Sequence, residues 1–138
     1  MNALYTAAAT ANGREGRAVS SDGQIDLPLG FPKSLGGNGQ GTNPEQLFAA
    51  GYAACFASAM GAIGRQEKID VKDASVTAEV SIGKDEADDG FRLAVVMRVE
   101  LPEHLQGEAG RELLEKTHAY CPYSKATRGN LDVQLVIE

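Results

Sequence analysis

Eighteen consecutive residues without a charge, Leu47 to Gly64, constrain this chain more than any other feature. A run of that length reaches the threshold for crossing a bilayer. Its content, however, is mostly Ala, Gly and Ser, with few large apolar side chains. Phe48, Tyr52, Phe56 and Met60 recur four residues apart and make one bulky ridge on a helix. Ala50, Ala54, Ser58 and Ala62 share that period and make a stripe of small residues, where a second backbone can approach closely. Ridge and stripe together predict a buried helix in a soluble protein, not a membrane span.

The start of this helix is well marked. Thr42 or Asn43 supplies a cap, Pro44 suits the first helical position, and Glu45 complements the dipole. The helix is predicted to run to about Lys68. The preceding loop, GGNGQGTN at Gly36 to Asn43, matches neither glycine pattern that cradles phosphate, and no lysine follows. It reads as a flexible connection.

The rest of the chain alternates strands and helices. Short strands are expected at Leu4 to Ala11, Arg17 to Ser21 and Ile25 to Leu29. Past the helix, Val76, Ala78, Val80 and Ile82 alternate with polar residues, and Phe91, Leu93, Val95, Met97, Val99 and Leu101 alternate with Arg92, Arg98 and Glu100. The acidic link Lys84 to Gly90 joins these two strands as a hairpin. A helix over Glu108 to Tyr120 presents Leu113, Leu114 and Thr117, Cys121-Pro122 opens a short third helix, and Val133, Leu135 and Ile137 form a last strand. The 138 residues therefore predict one α+β domain, residues 1–138, with antiparallel sheet around a long buried central helix.

Charge narrows the partners. The formal net charge is −6, and the 13 Lys and Arg are scattered, so no basic face is available for nucleic acid or an anionic membrane. The N-terminal MNALYTAAATANGREG has no cationic segment leading into an apolar run, which points to the cytoplasm. In that reducing compartment two cysteines, Cys55 and Cys121, are reactive or buried thiols and not a permanent staple. His118 lies one helical turn before Cys121, but too few soft ligands remain for a metal site, so none is predicted. A Cys–His hydrolase using His118 has no supporting motif. Small neighbours (Gly51, Ala54, Ser58, Ala59) leave room around the Cys55 sulfur. Cys121, at a helix start, is placed where the dipole favours thiolate, whereas Cys55 needs a cation from elsewhere. Read alone, the two cysteines also fit a plain structural role.

Two long ungapped motifs, GTNPEQLFAAGYAACF (Gly41 to Phe56) and CPYSKATRGN (Cys121 to Asn130), resemble those of the organic hydroperoxide resistance (Ohr) branch of the Ohr/OsmC family. The order of strands and helices fits that family over essentially the whole chain. The resemblance implies a thiol peroxidase in which Cys55 is peroxidatic and Cys121 resolving, with Glu45 and an arginine supporting Cys55. The arginine maps onto Arg14 in NGREG, with Arg17 as a nearby competitor. It further implies reduction of alkyl or fatty-acid hydroperoxides, no bound cofactor, recycling by a dithiol such as a lipoylated protein, and an intertwined homodimer. Phe48, Tyr52, Phe56 and Leu35 are candidates for an apolar substrate pocket. Glu45 and Cys55 are ten residues apart, about 15 Å along a helix, so one arginine could hardly serve both in one chain. Two antiparallel copies of the helix would bring Glu45 of one subunit toward Cys55 of the other. An OsmC-like peroxidase of broader substrate use, a non-catalytic binder of hydrophobic molecules and a slowly recycling redox sensor remain as alternatives.

Overall fold

The side chain of Asn43 sets the start of the long helix. Its Oδ1 accepts the backbone N–H of Gln46 at 2.8 Å, which makes Asn43, not Thr42, the N-cap. A computed structural model describes all 138 residues. Helix α1 runs over Pro44–Glu67 and stops where Lys68 takes a left-handed conformation, one residue short of the predicted end. The chain forms two compact units, Met1–Leu47 and Phe48–Glu138, and α1 begins in the first and continues through the second.

The first unit holds a three-stranded antiparallel sheet of β1 (Ala9–Ala11), β2 (Arg17–Ser20) and β3 (Asp26–Pro28), in that order. These strands are shorter than their sequence predicts. Pairing starts only at Ala9 with Ser20, and Leu4 and Tyr5 stay exposed without a partner strand. Ala18 and Leu29 are the buried apolar residues of this unit, so little apolar burial is available to lengthen the pairing.

The second unit is built on β4 (Ser75–Lys84), β5 (Phe91–Glu100), α2 (Glu108–Tyr120), α3 (Pro122–Thr127) and β6 (Asp132–Ile137). Strands β4 and β5 pair antiparallel along their whole length, from Ser75 opposite Glu100 to Lys84 opposite Phe91. Strand β6 lies on the other side of β5 and is parallel to it, Ala94 beside Asp132 and Val99 beside Ile137. The sheet is therefore mixed, and the expectation of purely antiparallel sheet is corrected. The reason is the connection: the chain leaves β5, passes through two helices and re-enters the sheet from the same end, which is how parallel neighbours are joined.

Val95, Met97 and Val99 on β5 are buried and meet Tyr52, Phe56, Met60 and Ile63 of α1 in one core with Leu113 and Leu114 of α2. Phe91, expected on the same face, is 69% exposed at the end of the hairpin, where Lys84 Nζ sits 5.5 Å from its ring centroid. Helix α1 is long and apolar enough to cross a membrane by length and composition, yet its ridge packs into this core. It is not buried all round. Ala50, Ala54 and Ser58 of the small-residue stripe are exposed, because the protein's own layers cover only the opposite side.

Gly110 shows how closely α2 is seated. A Cβ there would lie 1.9 Å from the Leu105 carbonyl oxygen and 2.9 Å from Leu101 Cδ1. Helix propensity alone predicts that Gly→Ala stabilises. Gly110→Ala should instead destabilise by about 2 kcal/mol or more, since a backbone carbonyl cannot step aside. A denaturant titration with an unchanged or raised midpoint would contradict this packing.

Candidate active site

In the first unit, the turn between β1 and β2 carries Arg14. Pairing of Ala11 with Ala18 closes that hairpin, and Asn12 Oδ1 accepts the backbone N–H of Arg17 across its base. Arg14 thereby reaches the first turn of α1. Its Nη1 donates to Glu45 Oε2 at 2.9 Å and its Nη2 to Glu45 Oε1 at 2.6 Å, a two-pronged pair. Arg17, the competing arginine, is bound instead to Asp26 on β3.

The Arg14–Glu45 pair is largely shielded, with side-chain exposures of 30% and 13%. The hydrogen bonds from Arg14 hold the Glu45 carboxyl below the usual carboxylate range, against the opposing effect of burial. The same bonds raise Arg14 further above its already high value. The Arg14 guanidinium also stands 5.9 Å from the centroid of the Phe31 ring, a cation–π contact that the sequence alone did not suggest. Phe31 and Leu35 line a cavity of about 490 Å³ with Leu29, Pro28 and Glu15. Leu35, a predicted pocket residue, is thus at a cavity in the first unit, half exposed.

In the second unit, Cys55 sits mid-way along α1, and Cys121 joins α2 to α3. The Cys121 N–H donates to Thr117 O at 2.8 Å, while its carbonyl accepts from Lys125 N–H at 2.9 Å. One residue thus ends one helix and starts the next, with Pro122 in the position where a missing N–H costs nothing. Both cysteines are free thiols, and their sulfurs are 3.6 Å apart. Cys121 has no exposed surface, whereas Cys55 is partly open.

Burial pushes the Cys55 thiol up, and the neighbouring Cys121 adds to this. The backbone of Tyr123, at the start of α3, opposes this rise. Gly51, one turn before Cys55, lets the Tyr123 ring approach α1: a Cβ there would lie 3.0 Å from the Tyr123 hydroxyl.

The other predicted pocket residues divide. Phe48 is partly buried and meets the Tyr52 ring edge-on at 6.1 Å. Tyr52 and Phe56 are wholly buried in the core of this unit, with no surface open to a ligand. His118 is bonded through Nδ1 to Ser124 Oγ at 2.8 Å, and Ser124 in turn to the Tyr52 hydroxyl at 2.7 Å. No three His, Cys, Asp or Glu side chains converge as a metal-ligating set. Tyr123 and Ser124 lie inside the second motif, but nothing in their spacing shows which partners they find across the core.

The Arg14–Glu45 geometry has a pH consequence. A carboxyl held low in the folded state contributes stability above its ordinary value and loses it as pH falls through the depressed one. The Glu45 carboxyl carbon resonance should therefore titrate below the normal glutamate range in wild type and move up into it in Arg14→Gln. A normal wild-type midpoint would mean that the pair does not persist in solution.

The family of OsmC-like proteins matches residues 37–136. An organic hydroperoxide resistance protein of Xanthomonas axonopodis pv. citri is 51% identical over 136 residues, covering 97% of this chain and 94% of the relative. The organic hydroperoxide resistance protein OhrB of Bacillus subtilis is 44% identical over 137 residues, 99% of each chain. The crystal structure of a Vibrio cholerae protein of the same description, with captopril bound in one of its active sites, superposes with a TM-score of 0.89 at 44% identity, covering 99% of this chain and 94% of that one. This chain belongs to the Ohr/OsmC family of organic hydroperoxide resistance proteins.

Proposed function

We propose that this chain is a cysteine-based peroxidase that reduces organic hydroperoxides to alcohols, with Cys55 as the attacking thiolate and Cys121 as the resolving thiol. The observation that carries the assignment is the sulfur pair: 3.6 Å apart, both reduced, with only Cys55 open to a reactant. The relatives named for organic hydroperoxide resistance support the substrate class.

The chemistry balances with two thiols and one peroxide. The Cys55 thiolate attacks the distal peroxide oxygen, an S–O bond forms as the O–O bond breaks, and the alkoxide leaves as the alcohol after taking up a proton. The Cys121 sulfur then displaces the oxygen from the Cys55 sulfenic acid, giving a disulfide and water. An external dithiol of the lipoyl type returns both cysteines to thiols by exchange. No bound cofactor takes part in this scheme.

Cys55 needs a cation, and Arg14 held by Glu45 is the group suited to that task. Glu45 precedes Cys55 by ten residues of one helix, roughly 15 Å of rise. We therefore assign the Arg14–Glu45 pair to the cysteines of a second copy, in an intertwined homodimer whose contact includes the open small-residue stripe of α1. Phe31 beside that pair, Leu35 in the cavity Phe31 also lines, and Phe48 on α1 would form the apolar wall for the alkyl part of the substrate. Tyr52 and Phe56 would serve as core behind it. In this reading the chain is a single cytoplasmic domain that completes its site by association.

Intact mass spectrometry after one equivalent of an organic hydroperoxide tests the cysteine roles. Wild type should lose two hydrogens, Cys121→Ser should gain oxygen, and Cys55→Ser should not change rapidly. Oxygen captured by Cys55→Ser would reverse the roles, and an unmodified wild type would favour a non-catalytic binder. Single-turnover behaviour without dithiol recycling would mark a sensor. The shared site has its own test. Arg14→Ala and Cys55→Ser should each be nearly inactive, but refolded together at equal amounts they should recover about a quarter of wild-type activity, from the one intact site in each mixed dimer. No recovery would place Arg14 and Cys55 of one site in the same chain.

A further inference from the structure

Tyr52, Ser124 and His118 form a hydrogen-bond chain that the chemistry above leaves without a task. The Tyr52 hydroxyl lies 2.7 Å from Ser124 Oγ, and Ser124 Oγ lies 2.8 Å from His118 Nδ1. Tyr52 and Ser124 have no exposed surface. Each group stands about one helical turn from a cysteine: Tyr52 before Cys55 on α1, Ser124 after Cys121 on α3, His118 before Cys121 on α2. Apart from the sulfur contact itself, Tyr52 to Ser124 is the only side-chain hydrogen bond that joins α1 to α3.

A neutral imidazole protonated at Nε2 accepts at Nδ1 from the Ser124 hydroxyl, whose oxygen can then accept from Tyr52. Burial and the nearby Arg128 favour that neutral form by holding His118 below its ordinary value. Every buried polar side-chain atom is then satisfied. An apolar contact between α1 and α3 would tolerate sliding along the helix, whereas a directional bond between two buried hydroxyls fixes the register.

We propose that Tyr52 and Ser124, oriented by His118, are positioning residues for disulfide formation: they hold α3 against α1 so that the Cys121 sulfur stays in reach of Cys55 after Cys55 is oxidised. This rests on the peroxidase reading. In the step concerned, Cys121 gives up its thiol proton, its sulfur forms the S–S bond, and the S–O bond of the sulfenic acid breaks. The oxygen leaves as water with that proton. The sulfurs must close from 3.6 Å to about 2.05 Å. A loosened α3 slows this closure and leaves the sulfenic acid open to a second peroxide, which carries it to the sulfinic acid. The first step, attack by Cys55, does not need Cys121 in place.

The test separates the two steps by rapid-quench mass spectrometry with one and then several equivalents of cumene hydroperoxide. It uses the full-length wild type, Tyr52→Phe, Ser124→Ala and the double variant. Oxygen addition should stay within about twofold of wild type, while disulfide formation slows about tenfold, equivalent to ~1.4 kcal/mol and near the most that one hydrogen bond contributes. Excess peroxide should leave more sulfinic acid in the variants. The double variant should be no slower than Ser124→Ala, because the bond is already lost. If both steps slow together, or Tyr52→Phe forms its disulfide at the wild-type rate, the positioning role is overturned while the peroxidase reading stands. If wild type neither gains oxygen nor forms the disulfide, both fall. Tyr52→Phe keeps the ring and its packing, so it decides the matter even if Ser124→Ala does not fold.

Discussion

A thiol in the middle of an α-helix receives no help from its own helix. The N–H and C=O groups around Cys55 are committed to the ladder of α1, and the dipole acts only within the terminal turns. Burial then makes the position worse, raising the thiol above its ordinary value. Everything that makes this sulfur reactive must come from outside α1, and the surrounding structure is arranged around that need. The break between α2 and α3 at Cys121 is one response. It sets the start of α3, whose Tyr123 backbone opposes that rise, by Cys55, and brings the Cys121 thiol to 3.6 Å.

The composition of α1 follows from the same requirement. A helix with large side chains all round would hold its neighbours too far off for a second thiol to reach a mid-helix sulfur. Here the large residues are confined to the ridge that enters the core, and the remaining faces carry Ala, Gly and Ser. Gly51 is the local instance: with no side chain there, the Tyr123 ring can lie close to the helix, one turn from the cysteine.

Much of this was legible in the sequence because it is local. Capping at Asn43, the extents of α1 and α2, and the β4–β5 hairpin all follow from periodicity and neighbouring residues. The choice of Arg14 over Arg17 came from a motif, and the structure gives each arginine a different carboxylate, Glu45 and Asp26. The parallel β6 was misread because strand pattern says nothing of direction, although the two intervening helices implied a crossover. The short N-terminal strands were overestimated because alternation marks a compatible segment, not the presence of a partner. Tyr52 and Phe56 were assigned to a pocket on residue type, and the core claimed them. The Tyr52–Ser124–His118 chain could not be read in advance, since it joins positions 72 residues apart through hydroxyls with no pattern of their own.

The pairing of Arg14 with Glu45 has a further physical meaning. A guanidinium already neutralised by a carboxylate is a weak point charge, and a lysine in its place would lose most of its influence on a thiolate. Arginine differs because its five N–H donors lie in a fixed plane. With Nη1 and Nη2 each giving one donor to Glu45, the Nε–H and the remaining Nη–H groups stay available in a direction the carboxylate has set. The pair therefore acts as an oriented set of donors more than as a charge. Such donors suit a reaction in which negative charge moves from sulfur to a departing oxygen, because they stabilise both without reorganising as it moves.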